Sequence, residues 1–270
     1  MPKTWRSHVL CAYAMAILAF LYLPLLILAL YSFNESRINA VWSGFTLDWY
    51  LSLFKNRRVL EALTNSLIVA FASTIVSIVL GTTAAIALNK YQYKYKNVIN
   101  GLLYLPILIP EIVMGLSLLV LFSQAHIPLG KTSLILAHIT FCVSFVVITV
   151  NARLEGMRPE LEQAAMDLYA TPFQTFRYVT LPLAMPGIAA GTILVFISSL
   201  GMFVVPDVMG GAKSALIGNL IQNQFLSARD WPFGGALSIV LALLSLVLIV
   251  LYYKALSAQQ GGGKNAEDMA

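Results

Sequence analysis

Long apolar stretches alternate with short polar ones along this chain, and six of the apolar stretches reach the length of a bilayer crossing. They cover residues 9–31, 64–88, 98–122, 132–150, 187–205 and 235–253. A helix through the hydrocarbon core needs about 20 mostly apolar residues, so each stretch predicts one transmembrane helix. The polar intervals are residues 32–63, 89–97, 123–131, 151–186 and 206–234. The pattern predicts an all-α, polytopic membrane fold with a single transmembrane domain over residues 1–256. The tail "SAQQGGGKNAEDMA", residues 257–270, is Gly-rich and polar and is expected to be disordered. The first apolar run is longer than the ~7–15 residues of a signal-peptide core, so it reads as a retained anchor.

Interval 151–186 is too polar to cross a bilayer and too patterned for a slack linker. Its first half predicts a short helix opening at Pro159, a favoured first position. Leu161, Ala164, Ala165 and Leu168 then share one narrow apolar stripe, while Glu160, Glu162, Gln163 and Asp167 occupy other faces. A second helix starts at Thr171-Pro172-Phe173-Gln174, with Thr171 as N-cap and Gln174 closing a capping box. Pro182, Pro186 and Gly187 are expected to break the chain before the fifth span. The interval carries Arg153, Arg158 and Arg177 against Glu155, Glu160, Glu162 and Asp167, slightly net acidic. Helices that lie on anionic lipid carry mostly basic residues, so this balance favours a protein partner over a lipid surface.

Composition agrees with a membrane location: 59% of residues are hydrophobic and 11% charged, against roughly 25% charged in soluble domains. The net charge of +5 is scattered without a basic tract, which argues against nucleic acid as a partner. Cys11 and Cys142 sit far apart in apolar runs and read as small hydrophobes; the isolated His8, His126 and His138 make no metal site. With the N-terminus inside, ten Lys and Arg fall on the inner side and seven on the outer, and the short loop "NKYQYKYKN" places three lysines beside two span ends. Both termini are therefore expected to be cytoplasmic.

Glu111, in "LPILIPEIVMG", is an acid inside a predicted span. An ionisable residue there costs ~2.5–3.5 kcal/mol on insertion scales and marks either a transport path or a packing pair. On a straight helix it would lie ~20 Å beyond residue 98. Pro106 and Pro110 just before it can open the helix and bare carbonyls.

The stretch "EQAAMDLYATPFQTFRYVTLPLAMPG" resembles the EAA loop of ABC-importer permeases. Gln163, Ala164 and Ala165 match its E-A-A, with Glu162 beside them; Asp167-Leu168 match D-L, and Leu181-Pro182 match L-P. Tyr169 stands where that pattern has Gly. The likeness covers nearly the whole chain. "YLPLLILALYSFNESR" and "HITFCVSFVVITVNARLEG" resemble the C-type permease of spermidine/putrescine importers, while "GMFVVPDVMGGAKSALIGNLIQNQFLSARDWPFG" resembles the B-type partner. The chain thus reads as a mosaic, C-type to about residue 192 and B-type after it.

The resemblance implies a six-span permease subunit of a bacterial inner-membrane polyamine importer, whose loop 151–186 forms coupling helices on an ATPase subunit. It also implies three partners: a second permease, an ATPase dimer and an extracytoplasmic polyamine-binding protein. This chain itself would hold no cofactor, ATP and Mg belonging to the ATPase; it lacks a Gly-rich phosphate loop. A polyamine needs spaced carboxylates with aromatic faces between them. Glu111 is the first candidate. Asp207 is a second, or else a loop cap beside Pro206; Tyr104 and Phe203 are either walls of the path or ordinary packing. Trp42, Trp49, Tyr50 and Trp231 read as an interfacial belt or, around Arg229 and Asp230, as a contact for the delivering protein. The rival readings are a permease for thiamine, ferric iron or an aminophosphonate, and an ATP-independent carrier. A membrane enzyme would need a nucleophile–base or metal constellation that the spans do not offer.

Overall fold

The computed structural model of the chain describes residues 3–37, 41–158, 160–210 and 214–267. In chain order the helices are α1 (Lys3–Tyr31), α2 (Asp48–Lys55), α3 (Arg57–Lys90), α4 (Lys96–Leu108), α5 (Glu111–Gln124) and α6 (Lys131–Glu155). They continue as α7 (Glu160–Asp167), α8 (Pro172–Thr175), α9 (Leu181–Gly201), α10 (Val204–Met209), α11 (Ile217–Asn223) and α12 (Trp231–Glu267). Two π-helical turns, Phe176–Thr180 and Gln224–Ala228, precede α9 and α12. Five helical stretches are long and apolar enough to cross a membrane, and the pair α4–α5 counted as one crossing makes six. Pro159, the expected first residue of α7, lies outside the described residues.

Three stretches depart from the expectation. The third span is not a straight rod: α4 and α5 meet at 108°. Pro106 and Pro110 each lack the N–H that a continuing helix would use, and Ile109 takes the extended conformation that a following proline demands. The depth of Glu111 along a straight axis therefore does not apply. The fifth span is shifted, from the expected 187–205 to a helical run over Pro172–Gly201, because Pro182 and Pro186 do not break the chain. Pro182 falls in the first turn of α9, where its missing N–H costs nothing, and the π-helical turn ahead of it absorbs the change of register. The Leu183 carbonyl, in the turn that Pro186 disturbs, accepts a hydrogen bond from Arg153 Nε at 3.0 Å. Finally, α12 runs as helix to Glu267, through most of the Gly-rich tail.

Contacts divide the chain into two compact units. One comprises residues 60–220 and 251–270. Its core joins α3, α6 and α9 through Ala85, Leu88, Cys142, Val146, Val150, Ala184, Ile188 and Val195. The helices approach closely because a small residue stands at the crossing: a Cβ on Gly81 would lie 2.6 Å from Val146 Cβ. The same three helices share a buried polar chain, in which His138 Nδ1 meets Ser199 Oγ at 2.7 Å and Ser199 meets Ser73 at 3.2 Å. A second apolar cluster packs Val69, Phe122, Leu134 and Ala137 around Met202, Val205 and Met209.

The other unit comprises residues 1–59 and 221–250. Phe33 stacks between Phe45 and Tyr50, and the Tyr50 hydroxyl meets Ser32 Oγ at 2.7 Å. The Trp49 indole donates to the Asn34 carbonyl at 2.8 Å, while Trp42 and Trp231 pack edge-on against Tyr31 and Phe225. Asp230 pairs with Arg37 at 3.5 Å, and Arg229 closes the second π-helical turn in the left-handed region.

The Gly81 crossing generates a stability prediction. Gly81→Leu should destabilise the detergent-solubilised chain by about 1–3 kcal/mol through overpacking, seen as a lower thermal midpoint. Gly101→Ala, where a Cβ meets nothing within 4 Å, should leave the midpoint unchanged or slightly raised.

Candidate functional site: the polar loop and the break around Glu111

The loop after α6 folds as the spacing predicts, with two short helices joined by a tight turn. Helix α7 closes in a Schellman arrangement: Ala170 N–H donates to Ala165 O at 3.1 Å and Tyr169 N–H to Met166 O at 2.9 Å. The residue at the turn of that motif must take positive φ, and here it is Tyr169, at φ 61°. Two residues on, Thr171 and Gln174 form the predicted capping box: Thr171 N–H donates to Gln174 Oε1 at 2.8 Å and Gln174 N–H to Thr171 Oγ1 at 3.3 Å. Sequence reasoning located this turn because both its capping signals are local.

The apolar stripe of α7 is turned outward. Leu161, Ala164 and Leu168 are exposed, as are Gln163 and Asp167, while Ala165 is half-buried. Leu168 is 82% and Tyr169 96% exposed, and Phe173 and Tyr178 stand out beyond them. Of the L-P pair, Leu181 packs against the α3–α6–α9 core and Pro182 is exposed. The loop therefore presents its apolar and aromatic side chains away from its own helices.

Glu162 does the opposite. Its carboxylate accepts from Lys90 Nζ at 3.0 Å and from the Thr180 hydroxyl at 2.5 Å. Lys90 is the last residue of α3, and Thr180 the last of the π-helical turn before α9. Burial by itself raises the Glu162 carboxyl pKa, but the Thr180 bond and the Lys90 ammonium outweigh it and hold the group below its ordinary value. A cavity of about 290 Å³ opens beside this pair, lined by residues that include Ile86, Asn89, Met157, Arg158, Gln163 and Met166. Sequence reasoning found Glu162 but missed Lys90 and Thr180. Lys90 is 72 residues away, and no local signal pairs them.

Glu111 opens α5 at the 108° bend. Its carboxyl meets the backbone amides of Val205 and Val204, and its Oε1 is buried without a hydrogen-bond partner. Those amides belong to the first turn of α10, left open by the chain break at Met202 and Phe203. On the other side of the same backbone, Asn219 Nδ2 donates to the Phe203 carbonyl at 3.0 Å and approaches Asp207 Oδ1 at 3.4 Å. Asn219 Oδ1 is likewise buried without a partner. Three of the four path candidates, Glu111, Phe203 and Asp207, thus gather about α10, where Asn219 joins them unforeseen. Tyr104 stands apart on α4, on the far side of the bend and exposed. Among the described residues no group of His, Cys, Asp and Glu is arranged to hold a metal ion.

The loop geometry generates two predictions. Tyr169→Gly should stabilise the turn by roughly 1 kcal/mol by removing a side chain from the left-handed region, read as slower hydrogen exchange at Ala170 in the chain alone. The depressed Glu162 pKa sets a pH window. Its contribution is present above 4.5, the unperturbed value, and is lost as pH falls from there through the lower folded value. Protection factors of the α7 amides should hold steady from neutral pH to 4.5 and fall only below it.

Residues 77–259 match the family described as binding-protein-dependent transport system inner membrane component. The chain is 40% identical over 235 residues to the spermidine/putrescine transport system permease protein PotC of Escherichia coli (strain K12), covering 87% of this chain and 89% of that one. It is 32% identical over 254 residues to the corresponding PotB of Haemophilus influenzae, covering 87% and 88%. Among solved structures, a chain of a bacterial ABC transporter involved in the import of the acidic polysaccharide alginate superposes with a TM-score of 0.75. That superposition spans 94% of this chain and 95% of the other at 18% identity, a likeness of fold. The chain belongs to the binding-protein-dependent transport system inner membrane components, the permease subunits of ABC importers.

Proposed function

We propose that the chain is a permease subunit for polyamines of the spermidine/putrescine kind, and that loop 151–186 is the cytoplasmic contact for the ATPase that drives it. The observation that carries this reading is the outward-facing apolar and aromatic rim of the loop, Leu161, Leu168, Tyr169, Phe173 and Tyr178, all exposed. Such a rim on two short amphipathic helices suits a groove in a protein partner. Gln163, Ala164, Ala165 and Asp167 flank it on α7, and Leu181-Pro182 anchor the loop to α9. The ATPase subunit supplies ATP and Mg; the permease contributes motion rather than chemistry. Both termini lie in the cytoplasm, and a second permease and an extracytoplasmic binding protein complete the importer.

The substrate class is supported by the 40% identity to a spermidine/putrescine permease and by the chemistry around α10. Glu111 and Asp207 offer carboxylates to ammonium groups, with Phe203 between them in the chain as an aromatic face and Tyr104 further along the path. In the state described, Glu111 lies beside the open amides of α10. An arriving ammonium competes for the same carboxylate, so occupation of the path and the position of the α9–α10 break are linked.

The test is uptake of radiolabelled spermidine by the reconstituted importer. Glu111→Gln keeps an oxygen for the Val204 and Val205 amides and removes the charge. Uptake should fall on the order of tenfold to a hundredfold, the loss of a charge-assisted contact, with subunit assembly intact. Unchanged uptake would reject the path role of Glu111, and ATPase stimulation by thiamine or ferric iron but not spermidine would reject the substrate class. Photocrosslinking from a benzophenone attached at Leu168→Cys or Phe173→Cys should capture the ATPase subunit; capture of lipid or of the chain's own spans alone would reject the docking reading.

A further inference from the structure

We propose that Lys90 and Thr180 are positioning residues for energy coupling, joined through Glu162 into a tether that carries the displacement of α7 into the spans α3 and α9. The inference rests on the reading of the loop as the ATPase contact and adds a route by which motion leaves it.

Three observations converge on this route. The first is what the carboxylate spans. One oxygen takes the Lys90 ammonium at the end of α3 and the other takes the Thr180 hydroxyl at the start of α9. A single side chain of an eight-residue helix is thus bonded to two membrane helices at once. The second is the surroundings. A cavity of about 290 Å³ adjoins the tether, with Ile86 of α3, Leu154 and Met157 at the end of α6, and Met166 of α7 along its walls. Close-packed apolar side chains would transmit a push at any point of contact; across a hollow, the bonded groups carry it. The third is direction. Leu161 and Ala164 of α7 and Leu168 just beyond it are exposed, so the helix has Glu162 bonded inward and apolar side chains free for a partner.

The acid beside the motif alanines therefore works inside the permease rather than on the motor. Gln163, at the position matching the motif's Glu, is exposed, whereas Glu162 is bonded inward. The π-helical turn Phe176–Thr180 adds a reason for the choice of Thr180. A widened turn at the base of α9 is the deformable element of that helix, and the bond to Glu162 is made at its last residue.

The experiment measures ATP hydrolysed per spermidine imported, in reconstituted importers of matched subunit content. Lys90→Met and Thr180→Val should each raise that ratio roughly two- to tenfold, in keeping with the loss of one hydrogen-bonded contact. Exchanging the charges, Glu162→Lys with Lys90→Glu, should bring the ratio back toward wild type, because the ion pair is restored in reverse. Single variants at the wild-type ratio would overturn the tether, as would an exchange no better than the worse single variant. Crosslinking of Phe173→Cys to the ATPase is recorded on the same complexes. Loss of the crosslink in the otherwise wild-type chain would overturn the docking reading itself, whereas a persistent crosslink with an unaltered ratio would overturn the tether alone.

Discussion

A backbone amide or carbonyl inside a bilayer has no water to turn to, so every interruption of a helix must be answered by another part of the protein. That constraint organises this chain. Where α9 stops, Glu111 meets the amides of Val204 and Val205 and Asn219 takes the Phe203 carbonyl. Where Pro186 disturbs the first turns of α9, Arg153 reaches the Leu183 carbonyl. Each polar side chain in these positions is costly in an apolar medium, and each is offset by backbone groups exposed at the break. Glu111, Asn219 and Arg153 are in this way counterparts of the breaks.

The same constraint concentrates function. The middle of an uninterrupted helix has no spare backbone group to offer a passing solute; a broken one has several. The breaks near α10 leave two buried oxygens, Glu111 Oε1 and Asn219 Oδ1, without partners. On the proposed transport reading, these acceptors beside one short helix are where a passing cation is offered partners. The well-packed helices α3, α6 and α9 supply the opposite property. Close approaches such as Gly81 against Val146 hold them at a short, well-packed spacing.

What could be read from the sequence follows the range of the interaction that decides it. The spans were legible because bilayer thickness translates into a count of apolar residues. The loop was legible because a capping box is a matter of three residues, and Thr171 and Gln174 form it. Tyr169 was marked by the glycine it replaces, and the turn does take positive φ. The prolines misled where their effect depends on context. Pro106 and Pro110 bend their span by 108°, while Pro182 and Pro186 leave theirs continuous, because one pair falls in mid-span and the other begins in a first turn preceded by a π-helical turn. Lys90, Thr180 and Asn219 were invisible, since their partners are set by the packing of distant helices.

Tyr169 and Glu162 show the two ends of one design. A tyrosine in the left-handed region carries a conformational cost of roughly 1–2 kcal/mol, and its ring, 96% exposed, gains no burial in return. Glu162, two turns earlier, is held by two bonds to the spans. A helix fixed at its inner face and strained at its outer tip has its stability supplied from one side and its unsatisfied surface on the other. A partner that buries the ring would offset the strain, and on the proposed tether the displacement it imposes reaches the bundle through the carboxylate bonded to α3 and to the base of α9. Rigid attachment inward and an unrelieved contact outward are the two properties a coupling element needs, and in this loop they fall on residues seven apart.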